Sequence, residues 1–141
     1  MALGVTWTAQ TTPADNAWKA VAFGKGRFVA VAYSGVGNRV MTSDNGVDWT
    51  IRTSAADNDW YDVCYSDSLG LFVAVARSGT GDRVMTSPNG IDWTLRTSAE
   101  DNTWYAVTWS EEKSLFVAVS GNGTNQVMTS PDGINWTART T

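Results

Sequence analysis

Three short segments of the chain each bring an acid, an amide and an indole together: Asp15, Asn16 and Trp18; Asp57, Asn58 and Trp60; Asp101, Asn102 and Trp104. A carboxylate and a carboxamide bond to sugar hydroxyls, and a flat indole packs on the apolar face of a pyranose. Each trio therefore has the chemistry of a glycan-binding site, and three copies would add avidity. The same residues have a second reading. Asp and Asn stabilise turns through bonds to nearby backbone, and a Trp that opens a strand can fill the wedge between packed sheets. The glycan reading requires Trp18, Trp60 and Trp104 to be partly exposed. The loops SGVGNR, SGTGDR and GNGTNQ are expected on the same face. They have the composition to hold a cation or a hydroxyl, but glycine-rich hairpin loops are common without any ligand, and no metal site or cofactor is expected.

Other chemistry is excluded more firmly. The chain contains no histidine, which removes the commonest general base and the commonest transition-metal ligand together. The single cysteine, Cys64, has no partner for an internal disulfide and reads as a small buried hydrophobe. Neither fact points to a compartment.

The elements that must position these residues are repeated. Trp7, Trp49, Trp93 and Trp136 recur at intervals of 42, 44 and 43 residues, and Phe28, Phe72 and Phe116 keep nearly the same step, as do Met41, Met85 and Met128. Each unit reads as four short strands. WKAVAF, WYDVCY and WYAVTW form the first and FVAVA, FVAVA and FVAVS the second, both expected to be buried on two faces. VMTS is the third strand, three times over, and WTIRT, WTLRT and WTART alternate as a half-exposed fourth. Asn45-Gly46, Asn89-Gly90 and Asp132-Gly133 fall between the third and fourth strands, where such pairs predict two-residue type I′ turns. No segment holds a helical period. Four-stranded antiparallel units of this length predict an all-β fold of β-propeller blades, three per chain.

SDNGVDW (43–49), SPNGIDW (87–93) and SPDGINW (130–136) resemble the Asp-box, or BNR repeat, of sialidase-like propellers. That motif runs Ser-x-Asp-x-Gly-x-Thr-Trp on the hairpin between a blade's third and fourth strands. This chain has one residue fewer before the Trp, and Asn45 and Asn89 stand where the family has Asp. In that family the boxes are structural, and the active site needs three converging arginines, a Tyr nucleophile with a Glu partner, and an Asp acid. Arg52, Arg96 and Arg139 occupy the same place on three different outer strands, so they point outward and cannot converge. The resemblance implies a propeller and gives no catalytic residues. WD40 repeats of similar length are a poorer match, because Trp follows the turn here and their Gly-His signature is absent.

Formal net charge is −4 and the ten basic residues are scattered, which argues against nucleic acid as a partner. No signal peptide or membrane span is read from the sequence, so a soluble protein is expected. The organisation that follows is an additional outer strand at 1–10 and blades at 11–53, 54–97 and 98–141. Three blades cannot close a ring at ordinary inter-blade angles. The chain itself is thus the first expected partner, as a six-bladed dimer ahead of a nine-bladed trimer. The segment from Val5 to Gln10 repeats the fourth strand and is expected to be disordered, displaced, or swapped onto the partner as a closing clasp. Two readings of function stand side by side: a non-enzymatic, lectin-like carbohydrate-binding module, and a structural or protein-interaction propeller fragment, natural or engineered, whose main property is self-assembly.

Overall fold

The computed structural model describes Gly4 and residues 6–141. Its described secondary structure is entirely β. The first sheet holds β1 (Trp18–Gly24), β2 (Arg27–Ala32), β3 (Val40–Ser43) and β4 (Thr50–Arg52). The second holds β5 (Trp60–Ser66), β6 (Leu71–Ala76), β7 (Val84–Ser87) and β8 (Thr94–Arg96), and the third β9 (Trp104–Ser110), β10 (Leu115–Ser120), β11 (Val127–Ser130) and β12 (Thr137–Arg139). Strands pair in chain order within each sheet, all antiparallel, with Phe28, Phe72 and Phe116 opposite Ser43, Ser87 and Ser130. No helix occurs among the described residues, so none is long and apolar enough to cross a membrane.

The first strands of neighbouring sheets approach one another, β1 to β5 and β5 to β9, so the blades fan out from an axis lined by these strands. One expectation is corrected: β1, with no described blade on its outer side, alternates half-buried and exposed residues, and β5 and β9 are buried only in part. In the first two blades the third strands are buried throughout and the second strands are buried beyond their opening residues. Each first strand also breaks register just after its Trp. Trp18 faces Ala32 and Ala20 faces Val31, and the same slip recurs in the other two blades. One residue per blade, Lys19, Tyr61 or Tyr105, is left over as a bulge, a device that re-aims a side chain.

The core lies between blades. The period-2 alternation of β2 sends Val29 and Val31, with Val40 of β3, onto one face, where they pack against Trp60, Val63, Phe72, Ala74 and Met85 of the second blade. Val73, Val75 and Val84 repeat this against Trp104, Val107, Phe116, Ala118 and Met128. Cys64 is half-buried against the second cluster, and its thiol is pushed up to about 12, first by burial and then by the Asp62 charge, so it stays protonated.

The turns between third and fourth strands are not two-residue type I′ turns. Six residues (44–49 in the first blade) separate the strands, and only Gly46, Gly90 and Gly133 have positive φ, near +75°. Asn45 Oδ1 accepts the Val47 and Asp48 N–H groups at 2.8 Å, and the Gly46 N–H donates to Ser43 Oγ at 2.8 Å. The side-chain oxygen thus does what a second positive-φ residue would do in a tighter turn. Asn89 and Asp132 bond in the same way. Each loop also pairs one amide with one carboxylate. Asn45 donates to Asp48 and Asn89 to Asp92, whereas in the third blade the roles are exchanged and Asn135 donates to Asp132.

Asp132 therefore carries a pH dependence its counterparts lack. Burial raises its pKa, but donors from Asn135, Ile134 and Ser130 together outweigh burial and hold it at about 2. A carboxylate depressed on folding contributes stability that is complete above its unfolded value of about 3.9 and is lost as pH falls toward 2. Thermal melts between pH 4 and pH 2 are expected to show a loss on the order of 1–2 kcal/mol from this group. The exchanged pair Asp132→Asn with Asn135→Asp, which reproduces the first-blade arrangement, should remove that step. An unchanged acid profile in the double variant would assign the loss to other carboxylates.

Thr6–Gln10, expected as a redundant outer strand, joins no sheet, and Trp7 is 88 % exposed. Val5 and residues 1–3 lie outside the described residues.

Candidate functional site

The Asp-Asn-Trp trios sit where each fourth strand returns to the next first strand, and their bonds tie the blades together. Trp60 and Trp104 are 0 % exposed, and their indole N–H groups donate to Ala56 O and Glu100 O. Trp18 makes the same bond to Ala14 O and is half-buried. The condition of the glycan reading, partly exposed indoles, is not met at 60 and 104, whose rings fill the wedge at the blade seam as in the second reading. Trp18 differs because none of the described blades packs over its outer side.

The amides and acids are also engaged. Asn16, Asn58 and Asn102 each donate from Nδ2 to a backbone oxygen in the loop between second and third strands of their own blade, at Asn38, Asp82 and Asn125, over 2.8–2.9 Å. The acids reach backward across the seam. Asp57 Oδ1 accepts the Gly37 N–H at 2.7 Å and Asp101 Oδ1 the Gly81 N–H at 2.6 Å. Asp15 has no such bond among the described residues.

Sequence reasoning missed the residues that complete these seams. Arg39 donates to Gly35 O and Tyr33 O in its own loop, then crosses to Asn58 O at 2.9 Å and to Asp59 Oδ1 at 3.1 Å. Arg83 repeats the pattern toward Gly79 O, Arg77 O and Asn102 O. The signal was present as Arg at one repeat position in two units and Gln126 in the third. At the inner strands Asp62 accepts the Val63 and Val107 N–H groups at 2.9 and 2.8 Å, and burial, acting against those bonds, raises its carboxyl above the ordinary value. The three outer-strand arginines remain apart, each donating from Nε to a threonine of the neighbouring strand, Thr42, Thr86 or Thr129, at 2.9 Å.

A second cluster lies where the bulged residues meet the ends of the second strands. Tyr61 lies 5.6 Å from Tyr33 and 5.7 Å from Tyr105, ring centre to ring centre. The Arg77 guanidinium stands 4.6 Å from the Tyr61 ring centre and 5.6 Å from that of Tyr105, with the Lys19 ammonium 4.8 Å from Tyr61. Arg77 donates from Nη1 to the Tyr61 hydroxyl. Gly121, the third-blade counterpart of Tyr33 and Arg77, leaves room for Tyr105, since a Cβ there would come within 2.5 Å of that ring. The cluster joins three blades, which is why no local segment revealed it.

The two ends of the blade array are open. Val21 is 61 % exposed although its counterparts Val63 and Val107 are 5 % and 6 % exposed. Beside it, a 340 Å³ hollow runs between Trp18, Ala30, Met41 and Trp49. At the other end Val119 is 43 % exposed, against 0 % for Val31 and Val75.

No family model matches this chain, and no curated protein does. Solved structures do. YCF48 from Cyanidioschyzon merolae is similar over 91 % of this chain and 38 % of its own, with 18 % identity and a TM-score of 0.67. YCF48 bound to D1 peptide shows 13 % identity over 89 % of this chain and 42 % of its own, at 0.64. A chain of the nidogen/laminin complex shows 13 % identity over 87 % and 48 %, at 0.61. These matches show a β-propeller fold, and the chain spans less than half the length of each of these structures.

Proposed function

We propose that this chain is a non-enzymatic propeller interaction module whose three blades close into a ring with a second copy. The observation that carries this reading is the complementarity of its open ends. One end shows Val21 and the half-buried Trp18, with the buried Ala30 and Met41 at the floor of the hollow beside them, and the other shows Val119 with the half-buried Val117 and Val127. These are the counterparts of the two surfaces that bury each other fully at both internal seams. The polar bonding is matched on one side alone: Asp15 lacks the glycine N–H that Asp57 and Asp101 accept, and the third-blade loop is one residue shorter, with Gly123 in the place of Gly35 and Gly79 and no glycine in that of Gly37 and Gly81. An apolar patch of this kind on a β edge is a docking surface by default. A six-bladed two-fold ring uses both ends of both chains and leaves no open seam.

The side-chain bonding at Asn45, Asn89 and Asp132 supports the Asp-box reading of the repeat, with these residues as hairpin formers. A protein partner is favoured over a glycan, because two of the three indoles that would stack on a sugar are inside the seams. The solved propellers that bear a likeness include one bound to a peptide and one in a nidogen/laminin complex. Light scattering at micromolar concentration is the test. The expected mass is twice the 15.2 kDa chain, three times that mass indicates a nine-bladed ring, and a stable single chain overturns closure between copies.

A further inference from the structure

We propose that the axial cluster of Lys19, Tyr33, Tyr61, Arg77 and Tyr105 binds an organic carboxylate. Two cations lie within 5 Å of the ring centre of Tyr61, and neither forms an ion pair among the described residues. The acid whose charge reaches Arg77 is Asp59, which is already bonded to Arg39 at 3.1 Å. The guanidinium carries five N–H donors. Its only acceptor among the described residues is the Tyr61 hydroxyl, and its Nε is buried without a partner. The buried Nε is closed to solvent, so an arriving carboxylate would bond to the Nη groups, which have no charged acceptor of their own. Register slips in all three first strands turn residues 19, 61 and 105 out of the regular ladder. The backbone irregularity therefore supplies the cluster with two of its tyrosines and its lysine.

The surroundings select the ligand. Tyrosine rings give flat, weakly polar walls, beside which a charge pair is screened less than in open water. Arg77 offers a planar fork that matches a carboxylate, and Tyr33 and Tyr105 remain 41 % and 44 % exposed, so the cluster is open to solvent. A carboxylate on a flat or short apolar body fits; a bare metal cation does not, because the site is already positive. All five residues belong to one chain, so the site does not depend on ring closure.

The test is a titration of the isotopically labelled chain, followed by NMR, with benzoate and with the peptide acetyl-Gly-Gly-Glu-Glu, each to about 10 mM, the range where weak sites saturate. Benzamide and inorganic phosphate serve as contrasts. Saturable shifts centred on Tyr61, Tyr105 and Arg77 are expected with benzoate, with the peptide or with both. The two arms distinguish a small acid from an acidic chain as the source of the carboxylate. Arg77→Gln should weaken binding by about tenfold or more, and Lys19→Gln by about threefold. Lys19 is exposed, so that variant decides the matter if Arg77→Gln fails to fold. Absence of saturation with both carboxylates overturns the proposal. So does equal binding of benzamide, tighter binding of phosphate than of either carboxylate, or unchanged affinity in folded variants.

Discussion

Replacing Val119 with aspartate is expected to leave the chain folded and to reduce the closed assembly to single chains. The chain should stay folded because this side chain is 43 % exposed in the isolated three-blade unit, where a carboxylate remains hydrated. Closure should fail because the ring would place the same position where Val31 and Val75 are 0 % exposed, against the Trp and Phe surface of the next blade. A carboxylate forced into such a seam without a partner costs about 3–5 kcal/mol. A two-fold ring contains two such seams, so association should weaken by about 6–10 kcal/mol, at least four orders of magnitude. Light scattering and circular dichroism together check this. A variant that keeps twice the chain mass would place the interface elsewhere, and a variant that loses its β spectrum would show that Val119 is needed within the chain. Val36→Asp is the control, since Val36 is 86 % exposed at a loop tip and should alter neither mass nor fold.

The blade plan was legible in the sequence because its strands depend on local pattern. The runs FVAVA and VMTS carry their alternation and β-branched residues within a few positions, and both became the buried middle strands. The turn type was not legible from its dipeptides. Asn-Gly predicts a tight turn from backbone preference alone, whereas Asn45 Oδ1 organises a longer loop by accepting two N–H groups. The Asp-Asn-Trp trios were found with two readings open, since a trio suited to a sugar is also suited to a seam. What decided between them was the position of the preceding blade, roughly 20 residues back in the chain, where Gly37 and Gly81 wait for Asp57 and Asp101. The tyrosine and basic cluster lay further from view, because its members are brought together only by the stacking of three blades and by a register slip that composition does not announce.

The indoles give the second large effect, and it differs by position in a way that reports closure independently of mass. Trp60→Ala is expected to cost about 3–5 kcal/mol, because it removes a fully buried ring and leaves a cavity between two blades. It also leaves Ala56 O without its indole donor. Against a typical domain stability of about 5–15 kcal/mol that is a large fraction of the whole. Trp104 occupies the same place one seam on, with the same 0 % exposure, and its truncation should cost as much. Trp18 makes the equivalent bond to Ala14 O but is only half-buried, since none of the described blades covers its outer side. In the Val119→Asp background, where single chains are expected, Trp18→Ala should therefore cost less than half as much as Trp60→Ala. In the proposed ring the partner's last blade would cover Trp18, and the two truncations should agree to within about 1 kcal/mol, the spread expected for one chemistry at matched sites. Urea midpoints at constant slope supply the comparison. Equal costs in single chains would mean that Trp18 is buried by something other than a neighbouring blade. Tolerance of Trp60→Ala would mean that its indole is available at the surface, and would restore the sugar-stacking role that the closed seams take from it.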